Sequence, residues 1–511
     1  MVDSSNKRLI KNTIFMFIRM FIVMAVTLFT TRIVLKTLGV EDYGIYNVVA
    51  GFVTLFTIIN NCLTTGTNRY YNIAIGQHDD HLVRRVYNSS IRIQAFFLVL
   101  LLMTIEIAGT WYINNKLVVP LERLPVTNVL FQCSIISLSF VVLSIPYSAA
   151  ILAYEKLDFY ALVSVIDAFA KLGIILIVSH LPYDKLYSYG ILMVTISIGD
   201  FLFYFTYCIF KFPALKIQRN TDEKLTKSLL SFSALSIIDP FSYIVKDQGS
   251  NLLLNSFHGP VLNAAYGIAS QVSGAVSSFA SNLSVAFRPQ LMQAYACGQH
   301  ERAKVLIKSM SKVNFILQAF VALPLICEME YILSLWLGNY PKYTPVFARL
   351  IILVSWFNSL NEPISIIMLA MGKIKKIKTV SMFIICSIIP IGYLLLLLDF
   401  PAYSIYIAMF FITIFNQIVS VNIMSNSFVL LSQKEYHTKI FIPLFTFTII
   451  AFIPPLLIHF NCFWGIIRLI AILFVSFIST LFFSFFIVFN RRERVVIKSG
   501  VASYWRRIQK N

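Results

Sequence analysis

Residues 43–45 read Tyr-Gly-Ile and residues 76–78 read Gly-Gln-His, 32 residues after the glycine of the first motif. Both motifs recur in the same order: residues 266–268 read Tyr-Gly-Ile, and residues 298–300 read Gly-Gln-His, 31 residues after that glycine. In both copies a long apolar stretch separates the two motifs. The second motif is followed by a short charged segment and then by another apolar stretch. This pattern indicates a chain built from two repeated halves, which is the architecture of many secondary transporters.

Composition assigns the chain to the polytopic membrane proteins. It is 58% hydrophobic and only 13% charged, with a mean hydropathy of +0.77. No soluble domain needs this much apolar surface. A spanning helix needs about 20 apolar residues, and such windows recur along almost the whole chain. Because the apolar runs are long and continuous, they predict helices rather than the short alternating strands of a membrane barrel.

The predicted fold is therefore an all-α polytopic membrane protein with about fourteen transmembrane helices. An even number of helices places both ends of the chain on the same side of the membrane. The windows, numbered 1 to 14 in chain order, are 12–36, 44–67, 88–109, 127–152, 159–180, 188–210, 229–256, 262–287, 305–327, 344–370, 378–398, 403–425, 439–459 and 462–489.

The repeat divides these windows into two six-helix lobes and an appended pair. Residues 1–210 form the predicted N-terminal lobe, residues 211–228 a basic cytoplasmic linker and residues 229–438 the C-terminal lobe. Since six is even, both lobes enter the membrane in the same orientation, as parallel repeats. Windows 13 and 14, residues 439–489, fall outside the repeat, and residues 490–511 form a basic cytoplasmic tail.

The net charge of +19 is explained by membrane topology. Most Lys and Arg residues fall in the termini and in alternate loops, which is the positive-inside bias and predicts cytoplasmic termini. Nucleic acid is therefore not a predicted partner. The first window follows Lys7, Arg8 and Lys11 and is too long for a cleaved signal, so we expect it to be a retained signal-anchor helix.

The sequence carries no catalytic motif. It has no glycine-rich phosphate loop, no metal-ligand spacing and no inserted soluble domain. We therefore predict neither an enzyme nor a metal site. A polytopic glycosyltransferase or polysaccharide polymerase would need a long extracytoplasmic loop with catalytic groups, which these short loops do not provide.

Charged residues inside the apolar windows are the candidate functional groups. Each costs about 2.5–3.5 kcal/mol at a helix centre on insertion scales, so it usually faces a cavity or a partner. Asp167 and Lys171 in window 5 are four residues apart and share a helix face. They form either a self-neutralised structural pair or part of a cavity wall.

Window 7 combines charge with a helix breaker. Asp239 and Lys246 are seven residues apart, nearly on one face and about 10 Å apart along the axis. Asp247 adds a second carboxylate. Pro240 removes a backbone hydrogen bond and predicts a kink. The window is a candidate moving, water-lined element, with a structural network as the alternative.

Four cations are candidate substrate-binding groups. Arg19 lies in window 1, which opens the first lobe as window 7, with Lys246, opens the second. Arg69 and Arg288 lie at the cytoplasmic ends of windows 2 and 8. Arginine binds diphosphate through its planar fork. Ordinary positive-inside charge is the alternative for Arg69 and Arg288.

Two segments resemble a known family. Residues 38–46, Leu-Gly-Val-Glu-Asp-Tyr-Gly-Ile-Tyr, follow a first helix that begins near Lys11 and look like the start of bacterial Wzx-type polysaccharide and O-antigen flippases. Residues 257–260, Phe-His-Gly-Pro, followed by residues 265–267, Ala-Tyr-Gly, resemble the second-lobe entry of these flippases. They belong to the multidrug/oligosaccharidyl-lipid/polysaccharide exporter (MATE-like) superfamily. The resemblance covers nearly the whole chain in helix count, lobe layout and loop placement.

The resemblance implies a flippase that carries undecaprenyl-diphosphate-linked oligosaccharide from the inner to the outer leaflet of the bacterial inner membrane, for surface polysaccharide or lipopolysaccharide synthesis. It implies alternating access around a cavity lined mainly by windows 1, 2, 7 and 8, and such cavities tend to be cationic. Arg19, Arg69 and Lys246 fall on these windows, whereas Asp239 and Asp247 lower the local positive charge and suit ion or proton coupling.

The implied partners are the lipid-linked oligosaccharide, membrane lipids, and the polymerase and glycosyltransferases of the same pathway. No cofactor is predicted, and the sequence leaves Na⁺ or H⁺ coupling open. A drug/cation antiporter of the same superfamily is the alternative function. The extra helix pair and the basic end of window 2 favour the flippase.

Overall fold

The computed structural model describes most of the chain, and its regular structure in that part is entirely helical. The described residues are 2–77, 79–154, 156–216, 222–235, 238–461, 465–491 and 493–495. The first nine helices are α1 (Val2–Thr54), α2 (Thr57–Gly76), α3 (Asp80–Asn115), α4 (Leu124–Ala153), α5 (Leu157–His180), α6 (Lys185–Lys211), α7 (Glu223–Leu235), α8 (Ile238–His258) and α9 (Pro260–Ala296).

Ten further helices complete the described chain. They are α10 (His300–Cys327), α11 (Met329–Leu337), α12 (Thr344–Asn358), α13 (Asn361–Ala370), α14 (Ile374–Cys386), α15 (Ile388–Leu397), α16 (Ser404–Ser427), α17 (Gln433–Tyr436), α18 (Ile442–Asn461) and α19 (Ile466–Phe483). One 3₁₀ turn (Leu121–Arg123) precedes α4, and π-helical turns follow α17 (His437–Phe441) and α19 (Ser484–Val488).

Within the described residues, eleven helical segments are long and apolar enough to cross a membrane. The chain is therefore an all-α, multi-pass membrane protein, although the expected count of fourteen spans is not confirmed. Windows 2, 7 and 8 have no separate counterpart among the eleven. Polar residues lower the hydropathy of two of these helices. They are Asn60, Asn61 and Asn68 in α2, and Lys246 and Asp247 in α8.

The break expected between windows 1 and 2 is a kink. α1 continues through residues 37–43, and within it only Gly39 departs from helical geometry, with φ 81° and ψ 171°. Glycine adopts this positive φ without the steric cost that other residues meet. The helix ends instead at residues 55–56, where a short turn leads into α2.

The described residues of both Gly-Gln-His motifs lie at helix junctions. Gly76 ends α2, and Asp79 caps α3 by accepting a hydrogen bond from the Leu82 amide at 2.9 Å. His78 lies outside the described residues. In the second copy, Gly298 has φ +72° and α10 begins at His300. These motifs therefore mark equivalent turns in the two copies.

The chain divides into two compact units by contact density. The first comprises residues 1–268 and 386–402, and the second residues 269–385 and 403–511. The lobes 1–210 and 229–438, the linker 211–228 and the helix pair 439–489 were drawn from the sequence repeat, and they stay predictions.

Within the second unit, buried ion pairs join the C-terminal helices to α10. Glu328, at the end of α10, has no exposed surface and accepts a hydrogen bond from Arg468 of α19 at 2.8 Å. The other oxygen of Glu328 lies 2.7 Å from Nδ1 of His459 in α18. Lys312 of α10 is likewise buried and donates to Glu493 at 2.7 Å. Since an unpaired buried charge is strongly destabilising, these pairs hold α18, α19 and the following segment against α10.

Candidate functional site

The two Tyr-Gly-Ile motifs meet within the first unit, where α1 approaches the start of α9. A Cβ added to Gly44 would stand 2.6 Å from the carbonyl carbon of Pro260. A Cβ added to Gly267 would stand 2.5 Å from Cγ of Asn47. The absence of a side chain at Gly44 thus leaves room for Pro260, which precedes the second motif. Likewise, its absence at Gly267 leaves room for Asn47, which follows the first motif. We name Gly44, Asn47, Pro260 and Gly267 the Tyr-Gly-Ile contact.

Buried asparagines surround this contact. Asn255 donates to the Val118 carbonyl at 3.2 Å and to Asn263 at 3.0 Å, and it accepts from the Val118 amide at 2.8 Å. Asn263 donates to Asn251 at 2.7 Å, and Asn251 donates to the Asn47 carbonyl at 3.3 Å. A buried polar network fixes one arrangement when its groups find partners. This network joins α1, the loop after α3, α8 and α9.

Helix α2 has two unlike faces. Thr67 and Tyr71 are fully buried, and the Thr67 hydroxyl lies 3.0 Å from that of Ser90 on α3. Its other face borders a cavity of about 800 Å³. The α2 residues that line this cavity are Thr64, Asn68, Arg69, Asn72 and Ile73. We call it the α2 cavity. The predicted substrate-binding residue Arg69 therefore lies on a cavity wall.

A cluster of carboxyl groups joins α5 and α6. Lys171 donates to Asp167 Oδ2 at 2.8 Å, as the four-residue spacing predicted. Asp200 of α6 interacts electrostatically with Asp167 and Lys171. The second oxygen of Asp167, Oδ1, is buried and receives no hydrogen bond from a described donor. We name Asp167, Lys171 and Asp200 the carboxyl cluster.

This cluster holds two carboxyl groups and one lysine. Two neighbouring carboxylates repel each other, which favours uptake of a proton by one of them. Lys171 compensates the charge of one group and leaves the other to take up or release a proton. The chemistry available at this site is therefore reversible proton binding inside a helix bundle.

Aromatic rings connect Arg19 to the same region. The Arg19 guanidinium carbon lies 5.0 Å from the ring centroid of Tyr160 on α5, which is cation–π geometry. Tyr160 in turn stacks on Tyr204 of α6, with centroids 6.2 Å apart. Tyr204 interacts electrostatically with Arg19 and with Asp200. The predicted residues Arg19, Asp167 and Lys171 thus belong to one neighbourhood of α1, α5 and α6.

Lys246 forms an ion pair with its sequence neighbour. Its Nζ lies 3.1 Å from Asp247 Oδ1 and 5.5 Å from the ring centroid of Tyr243. The side chain of Asp239, seven residues before Lys246, lies outside the described residues. Residues 236–237, just before Pro240, also lie outside them, so the kink expected in window 7 stays a prediction.

The side chain of Arg288 also lies outside the described residues, so its predicted role stays a prediction. Among the groups that the sequence argument did not select, Asp200 was visible as a charge inside window 6. Asn68 and Asn72 gave a weaker signal, since they extend the polar spacing of α2 beyond the end of window 2.

Comparison with known proteins identifies the fold. Residues 241–394 match the MatE family model. No curated protein matches the chain. An inward-facing multidrug resistance MATE family transporter of the MOP superfamily is similar in structure, with TM-score 0.64, 13% identity, and coverage of 81% of this chain and 98% of that one. The lipid II flippase MurJ, in an inward closed conformation, gives TM-score 0.63, 13% identity, and coverage of 93% and 98%.

An outward-facing MATE transporter of the same superfamily gives TM-score 0.59, 14% identity, and coverage of 82% and 96%. The matched segment and the shared fold agree with the superfamily that the sequence resemblance predicted, whereas the Wzx-type family within it stays a prediction. The chain therefore has the fold of these MATE transporters and of the lipid II flippase. The similar structures include inward-facing and outward-facing conformations.

Proposed function

We propose that this protein flips a prenyl-diphosphate-linked oligosaccharide, undecaprenyl in its native form, from the inner to the outer leaflet of the bacterial cytoplasmic membrane. The α2 cavity carries the proposal. Exposed Arg and Asn side chains on a helix within a membrane protein are stable only beside water, protein or a polar ligand. Arg69 supplies a planar fork that matches diphosphate oxygens. The cavity thus offers an anion-binding group beside uncharged amides.

The extent of the shared fold also supports a lipid-linked substrate. The lipid II flippase covers 93% of this chain, against 81% for the inward-facing multidrug transporter. In the proposal, the product enters surface polysaccharide synthesis, including lipopolysaccharide O-antigen. The polymerase and glycosyltransferases of that synthesis are then its working partners.

The Tyr-Gly-Ile contact serves as the outer gate in this proposal. With the N-terminus in the cytoplasm, as the positive-inside bias favours, α1 reaches the outer side near Gly44. The close approach of Gly44 to Pro260, together with the asparagine network, then closes that side. In the same topology Arg69, near the C-terminal end of α2, lies toward the inner side, so the α2 cavity is the inward-facing binding site of the proposal. Alternating access requires this gate to open as the inner side closes.

The carboxyl cluster supplies the energy coupling. Protonation of the Asp167–Asp200 pair changes its net charge by one, and Lys171 lies close enough to respond to the change. Charge changes of this kind bias helix packing because an uncompensated charge in a bundle is costly. We assign H⁺ as the coupling ion. Dependence on a Na⁺ gradient alone would overturn that assignment without affecting the choice of substrate.

Reconstituted vesicles test the function. Flipping is measured as loss of accessibility of a short-chain prenyl-diphosphate N-acetylglucosamine to an impermeant glycan-modifying enzyme. Arg69→Ala should slow flipping at least tenfold, whereas Arg302→Ala, at an exposed arginine beside the second Gly-Gln-His motif, should leave it unchanged. Export of cationic dyes with no movement of the lipid would reject the flippase and establish the drug/cation antiporter.

A further inference from the structure

Helix α2 carries three polar side chains at four-residue spacing on the wall of the α2 cavity: Thr64, Asn68 and Asn72. Successive members are separated by one turn, about 6 Å of rise, so the row extends for about 12 Å. Asn72 Nδ2 donates to Asn68 Oδ1 at 2.5 Å, which aligns the two amides. Asn72 is exposed and Asn68 half-buried, so both are accessible from the cavity.

The paired amides retain hydrogen-bonding capacity. A carboxamide has two N–H donors and an oxygen with two lone pairs. The Asn72–Asn68 bond uses one donor and one acceptor site. The Asn68 amino group, the Asn72 oxygen and the second Asn72 N–H make no hydrogen bond to another described side chain, and both residues line the cavity. A hydroxyl group both donates and accepts, so adjacent hydroxyls of a sugar satisfy this set, whereas a cation or an apolar group leaves donors unpaired.

Arg69 and Ile73 complete the local chemistry. Arg69 follows Asn68 directly in the chain and lines the same cavity, so an anion on its guanidinium lies next to the amide row. Ile73, 39% exposed, offers apolar surface beside Asn72 for the C–H face of a sugar ring. Anionic, hydroxylated and apolar contacts therefore follow one another along a single helix.

We propose that Asn68 and Asn72 form a sugar subsite that reads the hydroxyls of the first sugar of the lipid-linked glycan, beside the diphosphate held by Arg69. This inference rests on the proposed function and adds the residues that select a sugar-bearing lipid over a bare prenyl diphosphate. The amides set which substrate is accepted, and the arginine sets how strongly any diphosphate is held.

Two probes separate these roles in detergent-solubilised full-length protein. One is farnesyl diphosphate, and the other is farnesyl diphosphate bearing N-acetylglucosamine. The Asn68→Ala/Asn72→Ala variant should bind the sugar-bearing probe about tenfold more weakly, since the loss of one to two hydrogen bonds is of that size. Its affinity for farnesyl diphosphate should stay within about twofold. Arg69→Ala should weaken binding of both probes.

Matched controls keep the result interpretable. Asn115→Ala removes an exposed asparagine of α3 whose amide bonds only to the Trp111 carbonyl, so the affinity for both probes should be unchanged. Asn72→Gln retains an amide and should recover part of the lost affinity, which distinguishes recognition from misfolding. Equal effects of the double variant on both probes, or no effect, overturn the sugar subsite while the Arg69 result stands. If the native protein binds neither probe, the proposed function itself fails.

Discussion

A methyl group at Gly44 tests whether the Tyr-Gly-Ile contact is a gate. In Gly44→Ala, the new Cβ would stand 2.6 Å from the Pro260 carbonyl carbon and 3.1 Å from the Pro260 Cβ. Carbon atoms in contact are separated by about 3.5–4.0 Å. The two helices must therefore separate by about 1 Å. No rotamer change relieves the overlap because the closest obstructing atoms are backbone atoms of Pro260 and the third is its ring Cβ.

The cost of this overlap falls only on states in which α1 and α9 are in contact. Overpacking of a close contact costs about 1–3 kcal/mol. Since 1.4 kcal/mol corresponds to a tenfold change in an equilibrium constant, the closed state should lose population by about 5- to 150-fold relative to the open state. The protein should stay folded, since the open state does not contain the overlap.

A cysteine pair measures the closed state directly. In a chain without its native cysteines, Asn47→Cys and Gly267→Cys place two thiols at the same contact, where the Gly267 Cβ position lies 2.5 Å from Asn47 Cγ. Bridged cysteines need Cβ atoms about 3.8 Å apart. Disulfide formation should be rapid and should stop flipping until a reductant is added. Gly44→Ala should slow disulfide formation by the same factor as the loss of the closed state, about 5- to 150-fold.

Gly173→Ala is the matched control, because Gly173 is a helical glycine of α5 whose added Cβ would have no described atom within 4 Å beyond the adjacent part of its own helix. It should change neither the rate of disulfide formation nor flipping. If Gly44→Ala is folded and leaves both rates at their native values, the close approach of α1 to α9 does not separate two functional states, and the gate assignment is refuted.

Three further substitutions test other parts of the structure. Asp200→Asn should abolish the dependence of flipping on a proton gradient while the affinity for the diphosphate probe is retained; unchanged coupling would remove the carboxyl cluster from energy transfer. Asp184 has a lowered pKa: partial burial opposes the shift, but the backbone amide at the start of α6 and the Arg123 guanidinium outweigh it. A lowered folded-state pKa stabilises the protein above the unfolded value of about 3.9, and that stability is lost as pH falls through the folded value. The melting temperature of Asp184→Asn should therefore lie below the native one at pH 7, and the gap should narrow below about pH 4. Glu328→Ala leaves Arg468 buried without its carboxylate, so it should cost about 3–5 kcal/mol, seen as a large fall in melting temperature; a change under 1 °C would contradict the pairing.

Local signals in the sequence predicted the helices. Hydropathy is a property of consecutive residues, so the apolar windows found most of the spans. The four-residue spacing of Asp167 and Lys171 likewise fixed their ion pair, because helix geometry alone brings them together.

These local signals could not predict contacts between different helices. Asp200 was visible as a charge but not as the neighbour of Asp167, since the two lie on different helices. Lys246 forms an ion pair with the adjacent Asp247, a contact that the spacing of charges along the helix face did not indicate. The motif repeat predicted equivalent positions for Gly44 and Gly267 but not that each copy would lie against the other.

The contact between the two copies is not strictly symmetric, and this difference gives a final test. Gly44 faces backbone and Cβ atoms of Pro260, whereas Gly267 faces the side-chain amide of Asn47. An amide can rotate or be removed, and a backbone carbonyl cannot. Gly267→Ala should therefore slow flipping less than Gly44→Ala does. Adding Asn47→Ala should restore the Gly267→Ala variant to near-native flipping and leave the Gly44→Ala variant impaired. Equal rescue of both would mean that the two glycines respond to a general loosening of α1 rather than to the separate neighbours that the structure assigns to them.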